Sequence, residues 1–144
     1  MIEQDTIRLL RECDAGVRMG VSAIESVVER IRDERFRQVL VESRHHHDEL
    51  DREIQAQLHR FRDSGKAPAA MARGMSWLKT NAMLMMEPGD ATIADLMTDG
   101  CNMGVKSLHK YLNEYKAADE AAKTLARKLI NLEEKLAVDI RTFL

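Results

Sequence analysis

A chain of 144 residues with a net charge of −2 and two cysteines is long enough for one domain with a real core. It is too poor in cysteine for a disulfide scaffold or a thiolate zinc site. Its 22 basic and 24 acidic residues are mixed throughout, so no basic stripe points to nucleic acid, and no uncharged apolar stretch approaches the ~20 residues of a membrane span.

The opening residues, Met1-Ile2-Glu3-Gln4-Asp5, lack the basic and then apolar pattern of a secretory leader, so a cytoplasmic protein is expected. Two prolines, seven glycines and few aromatics point to an all-α protein.

The first helix is predicted from about Gln4 to Ile31. Leu10, Cys13, Val17, Gly20, Ile24, Val27 and Ile31 recur at three- and four-residue steps and make one apolar stripe. Asp33 is a suitable cap for a second helix, from about Glu34 to Phe61. Its stripe runs Phe36, Leu40, Ser43, His47, Leu50, Ile54, Leu58 and Phe61, with Ser43 and His47 as the two polar members. Asp63-Ser64-Gly65-Lys66 stops it.

Pro68 suits the first turn of a shorter third helix, about Ala69 to Met86, on which Met71, Met75, Leu78, Ala82 and Met85 share a face. Glu87-Pro88-Gly89-Asp90 breaks the chain, and Asp90 is expected to cap a fourth helix over about Ala91 to Lys116. Its stripe is Met97, Cys101, Gly104, Leu108, Tyr111 or Leu112, and Tyr115. Asp119 opens the fifth helix, with Ala122, Leu125, Leu129, Leu132, Leu136, Ile140 and Phe143 on one side.

The turns between helices one and two, and between four and five, are short, so each pair is an antiparallel hairpin. The hairpins cover about 2–62 and 90–144, and the third helix, about 68–87, crosses between them. The chain also repeats itself at an offset of 84 residues (Gly20 to Gly104). Gly16, Met19, Gly20 and Val21 match Gly100, Met103, Gly104 and Val105, and Ile24 faces Leu108 as an aliphatic pair.

A glycine inside a helix costs about 1 kcal/mol relative to alanine. The two Gly-x-x-x-Gly pairs are therefore expected to let the first and fourth helices approach closely near a pseudo-twofold axis. The alternative is that they make room for a bulky neighbour such as Trp77 or a methionine.

Two duplicated helical hairpins joined by a crossover resemble the ferritin-like superfamily, in architecture rather than in a catalytic motif. The resemblance implies a four-helix bundle and self-association, with a homodimer as the simplest form. Its di-iron members use one glutamate from each of two helices and a Glu-x-x-His from each of the other two. Glu42-Ser43-Arg44-His45 is a literal Glu-x-x-His, but it is rotated off the stripe that passes through Ser43 and His47.

The first helix has no glutamate in its stripe, only Asp14 on the flank. The fourth has Cys101, Gly104 and Leu108, and the fifth has Glu133-Glu134-Lys135-Leu136. The second hairpin's sole histidine is His109. A complete di-iron centre is not expected from these residues.

His47 reads first as a core histidine bonded to a serine, a carbonyl or an aspartate. Its functional reading is a degenerate site in which His47 joins Asp14, with Glu42 or His46. Imidazole with carboxylate suits a single iron, manganese or zinc ion; otherwise no cofactor is expected. Asp14 and His47 are expected to pair across the first hairpin and make stability pH-sensitive. His45 is expected to be solvated, and Cys13 and Cys101 to be small buried hydrophobes.

The methionines Met71, Met75, Met83, Met85 and Met86 read as soft core filling, or as an adaptable groove for a partner helix or an apolar ligand. No phosphate loop is present, and no Ser/His/Asp order recommends itself, so no catalytic residue is assigned. The preferred reading is a non-catalytic structural, stress-related or interaction module. The rival is a metal-dependent oxidoreductase of rubrerythrin or catalase type, with ligands drawn from Asp14, Glu42, His46, His47 and Glu133. A third is a binding module built on the Met-rich helix.

Overall fold

The computed structural model describes residues 2–63 and 89–144. The expected crossover helix with its methionines and Trp77 lies outside the described residues. What is described is all-α: α1 (Ile2–Val27), α2 (Glu34–Arg60), α3 (Asp90–Glu114) and α4 (Glu120–Asp139), with single 3₁₀ turns at Val28–Arg30 and Arg141–Phe143 and no strand among the described residues. The fourth and fifth helices read from the sequence are α3 and α4.

The helix boundaries follow from capping. Asp33 and Asp119 sit in extended conformation just ahead of α2 and α4, and accept hydrogen bonds from the Arg35 and Ala122 backbone N–H groups, both at 2.8 Å. These satisfy donors that the first helical turn leaves without partners. Asp90 does not cap its own helix. Gly89 holds that position, with no side-chain cap. Asp90 reaches instead into the α1–α2 turn, accepting from the N–H groups of Arg32 (2.9 Å) and Asp33 (2.8 Å).

The other turn is held in the same way. Thr6 accepts from Asp119 N–H at 2.8 Å, and Asp5 from Ala117 N–H at 3.0 Å. Each hairpin turn is thus tied down by the start of the opposite hairpin. α2 ends at Arg60, and just beyond it Arg62 turns the chain with a left-handed φ of 55°, the Asp63 N–H returning to the Leu58 carbonyl. The Arg11 guanidinium then grips the Asp63 carboxylate and fastens this end of α2 to α1.

α1 packs on α2, α3 on α4, and α4 against both α1 and α2. The buried residues fall into two apolar clusters. One joins Leu9, Leu10, Cys13 and Val17 of α1 to Leu50, Ile54 and Leu58 of α2, and to Leu125, Leu129 and Ile130 of α4. The other joins Ile24, Val27 and Ile31 to Phe36, Leu40, Ile93, Met97, Leu136 and Ile140, with Phe36 stacked on Phe143 at 4.7 Å between centroids.

Burial follows the repeat. At the 84-residue offset, Leu9, Cys13, Val17 and Ile24 of α1 correspond to Ile93, Met97, Cys101 and Leu108 of α3, and all eight are buried. The second helices correspond at an offset of 86 residues (Asp33 to Asp119). Phe36, Leu40, Ser43, Leu50 and Ile54 of α2 then match Ala122, Ala126, Leu129, Leu136 and Ile140 of α4, again all buried. The same offset sets His47 on Glu133.

Candidate functional site

Gly20, His47, Gly104 and Glu133 come one from each helix, and none belongs to either apolar cluster. His47 has no exposed surface, and Glu133 is also buried. His47 Nε2 lies 2.7 Å from Glu133 Oε1. On the other side of the ring, Nδ1 lies 2.8 Å from the Ser43 carbonyl oxygen, one helical turn back. A carbonyl only accepts, so Nδ1 carries a hydrogen. A glutamate carboxylate also only accepts, so the ring satisfies both neighbours as imidazolium. Burial pulls the His47 pKa down, but the hydrogen bond and charge of Glu133, with the Ser43 carbonyl and Asp48, outweigh it and leave it raised.

The glycines are explained by this pair. A Cβ at Gly20 would stand 2.8 Å from His47 Nε2 and 3.0 Å from its Cδ2, closer than such contacts allow. A Cβ at Gly104 would meet the Glu133 side chain at 3.7–3.8 Å, an ordinary contact. A Cβ at Gly16 would meet Leu129 at 3.4 Å, and one at Gly100 nothing within 4 Å among the described residues. The expectation that these glycines serve a close crossing of two helix backbones is therefore corrected. What lies over Gly20 and Gly104 is a side chain from α2 or α4, because those helices carry the polar pair inward at this level.

Cys101, next to this level on α3, completes the group. Burial raises its thiol pKa first, and the neighbouring Glu133 carboxylate raises it further, so Cys101 stays a thiol beside the carboxylate. Cys13 is likewise pushed up, to about 12, by burial and then by Glu12 and Asp14. Both cysteines are buried, as small hydrophobes would be, and neither is a thiolate at neutral pH.

Of the residues singled out from the sequence, only His47 and Glu133 come together at this level. Asp14 does not pair with His47. Its Oδ1 accepts from Gln55 at 2.6 Å and faces the Arg18 guanidinium at 3.2 Å. Asp14 lies six residues before Gly20, about 9 Å along the helix, which is out of reach of the imidazole. Glu42 and His46 are on the outside of α2, 3.8 Å apart, where they line a shallow cleft with Lys135 and Asp139 of α4. One residue of helix is a turn of about 100°, so His46 cannot share the face of His47. His45 is exposed and bonds Glu49 at 2.6 Å. Among the described residues, no group of three or more His, Cys, Asp or Glu side chains is arranged to hold a metal ion.

The sequence marks Glu133 only as one of several candidate ligands, because its place beside the apolar stripe through Leu129, Leu132 and Leu136 reads as surface. Leu132 is in fact only half-buried, and Glu133 takes the inward position. Aligning the two cap aspartates, Asp33 and Asp119, is the signal that sets Glu133 opposite His47. The level holds one imidazole, one carboxylate, one thiol and two glycines. That does not match the four carboxylates and two histidines of a di-iron centre.

No protein-family model matches this chain, and no curated protein or solved structure matches it either.

Proposed function

We propose that the chain is a ferritin-like bundle made of two copies of one hairpin, and that it works as a non-catalytic structural, stress-related or interaction module. One observation carries this reading: the central level, where equivalent positions of the two hairpins meet, is filled by a His47–Glu133 ion pair that neutralises itself. In a di-iron bundle the inward carboxylates are held together by bridging cations. Here the single carboxylate finds its positive partner in the protein. The matched burial of α1 with α3 and α2 with α4, and the reciprocal ties of Thr6 and Asp90, support the duplication. The same reading has the protein self-associate in the cytoplasm.

A second reading, a metal-dependent oxidoreductase, draws on the same place, since imidazole, carboxylate and thiol meet there. Elemental analysis of the purified protein, with its oligomer mass, separates the two. The module reading expects metal far below one ion per chain and a fold indifferent to chelators. Iron, manganese or zinc near one per chain, lost in His47→Ala, overturns it.

A further inference from the structure

We propose that Asp14 and Asp51 hold one proton between them, as a carboxylic acid paired with a carboxylate, and that this pair tightens the α1–α2 hairpin on acidification. Asp14 has no exposed surface. Its Oδ1 is fully engaged by Gln55 and Arg18, while its Oδ2 is buried without a partner. Asp51 Oδ1 is buried without a partner too. Asp51 stands one helical turn before Gln55 on the same face of α2, and Gln55 is bonded to Asp14, so the two carboxyl groups face each other between α1 and α2.

Two carboxylates cannot satisfy one another, because neither has a hydrogen to give. One shared proton supplies a donor, provides for both orphaned oxygens and removes the repulsion of like charges. Burial raises the Asp51 pKa first, then the hydrogen bond and charge of Asp14, with Arg18 and the Gln55 bond opposing; the result is about 6 against an ordinary 3.8. Asp14 and Arg18 face it from α1 and Gln55 from α2. On α4, Lys128 is paired with Glu53 at 3.1 Å.

The sign is that of a group whose folded pKa is raised. The pair's stabilisation is complete below the ordinary carboxyl value and is lost as pH rises through about 6.

The test is thermal unfolding of the full chain and of Asp51→Asn from about pH 4.5 to 8.5, spanning the ordinary and raised carboxyl values, in EDTA and with added calcium. The asparagine offers a permanent donor to Asp14. The wild type is expected to lose Tm relative to Asp51→Asn as pH rises through about 6, with the variant the more stable above about pH 7. A wild-type-minus-variant difference that does not change with pH overturns the proposal, as does stabilisation by calcium that Asp51→Asn abolishes, which would make the site a cation site. The side-chain carboxyl carbon resonance of Asp51 provides a second reading that does not depend on the variant's folding. A midpoint near the raised value of about 6 supports the shared proton, and a midpoint near the ordinary value of about 4 overturns it.

Discussion

Two of the polar groupings inside the described bundle solve opposite problems. His47 and Glu133 come from different hairpins, carry opposite charges and satisfy each other directly at 2.7 Å. Asp14 and Asp51 come from one hairpin and carry the same charge. Arg18 offsets part of it from a half-exposed position, and the rest calls for a proton. Buried charge is costly in both cases. The first pair depends on its two members staying together, so it clasps the hairpins. The second depends on the solvent's proton supply, so it makes one hairpin responsive.

The strongest way to break the comparison is to remove half of the first pair. Glu133→Ala leaves an imidazole buried without its counter-charge. Loss of one partner from a buried pair typically costs about 3–5 kcal/mol, so chemical denaturation is expected to show a large fall in stability. Replacing both members with apolar residues, as in the double variant His47→Leu with Glu133→Leu, is expected to recover most of that fall, because no charge is then left unpaired. A double variant as unstable as the single one would mean that the pair's shape matters more than its charge.

Gly20→Ala comes next. The added methyl would sit 2.8 Å from His47 Nε2, and overpacking of this kind costs about 1–3 kcal/mol. In the Glu133→Ala background the imidazole is free to give way, so the cost should shrink. Equal losses in both backgrounds would argue that Gly20 is needed for something other than the pair.

pH offers a third probe. The raised pKa of His47 means that its contribution is complete below the ordinary histidine value of about 6.5 and is lost as pH rises through the elevated folded value. Denaturation midpoints should therefore fall on the alkaline side in wild type, and less so in His47→Gln. Both buried groupings gain from protons, so acidification from about pH 8 to about pH 6 is expected to strengthen the fold as a whole.

Much of the fold is legible in the sequence because capping and periodicity are local. Asp33, Asp119 and the three- and four-residue steps of leucine and isoleucine mark the described helices to within a few residues. α1 ends earlier than its stripe, at Val27, since Val28–Arg30 tighten into a 3₁₀ turn and Ile31 is extended, yet Ile31 stays buried. The central site is less legible. His47 is visible as the polar member of an apolar stripe, but its partner is not. Asp14 is the inward-leaning carboxylate on the neighbouring helix α1, and only the three-dimensional register shows it six residues away from the level of the imidazole. Glu133 is hidden because a charge inside an amphipathic helix reads as surface. Ser43 contributes through its carbonyl, a group that side-chain patterns do not report.

The smallest effect tests the repeat itself. Gly16 and Gly100, and Gly20 and Gly104, are equivalent in sequence, yet their surroundings differ. Gly100 is exposed, with no atom within 4 Å of an added Cβ among the described residues, and Gly104 meets Glu133 only at ordinary distance. Alanine is favoured over glycine inside a helix by about 1 kcal/mol. Gly100→Ala is thus expected to raise stability by up to that amount, with Gly104→Ala close behind, while Gly20→Ala lowers it. If Gly100→Ala instead destabilises the protein or changes its oligomer mass, that face of α3 is covered by another surface in solution, and the glycine is kept for close packing there.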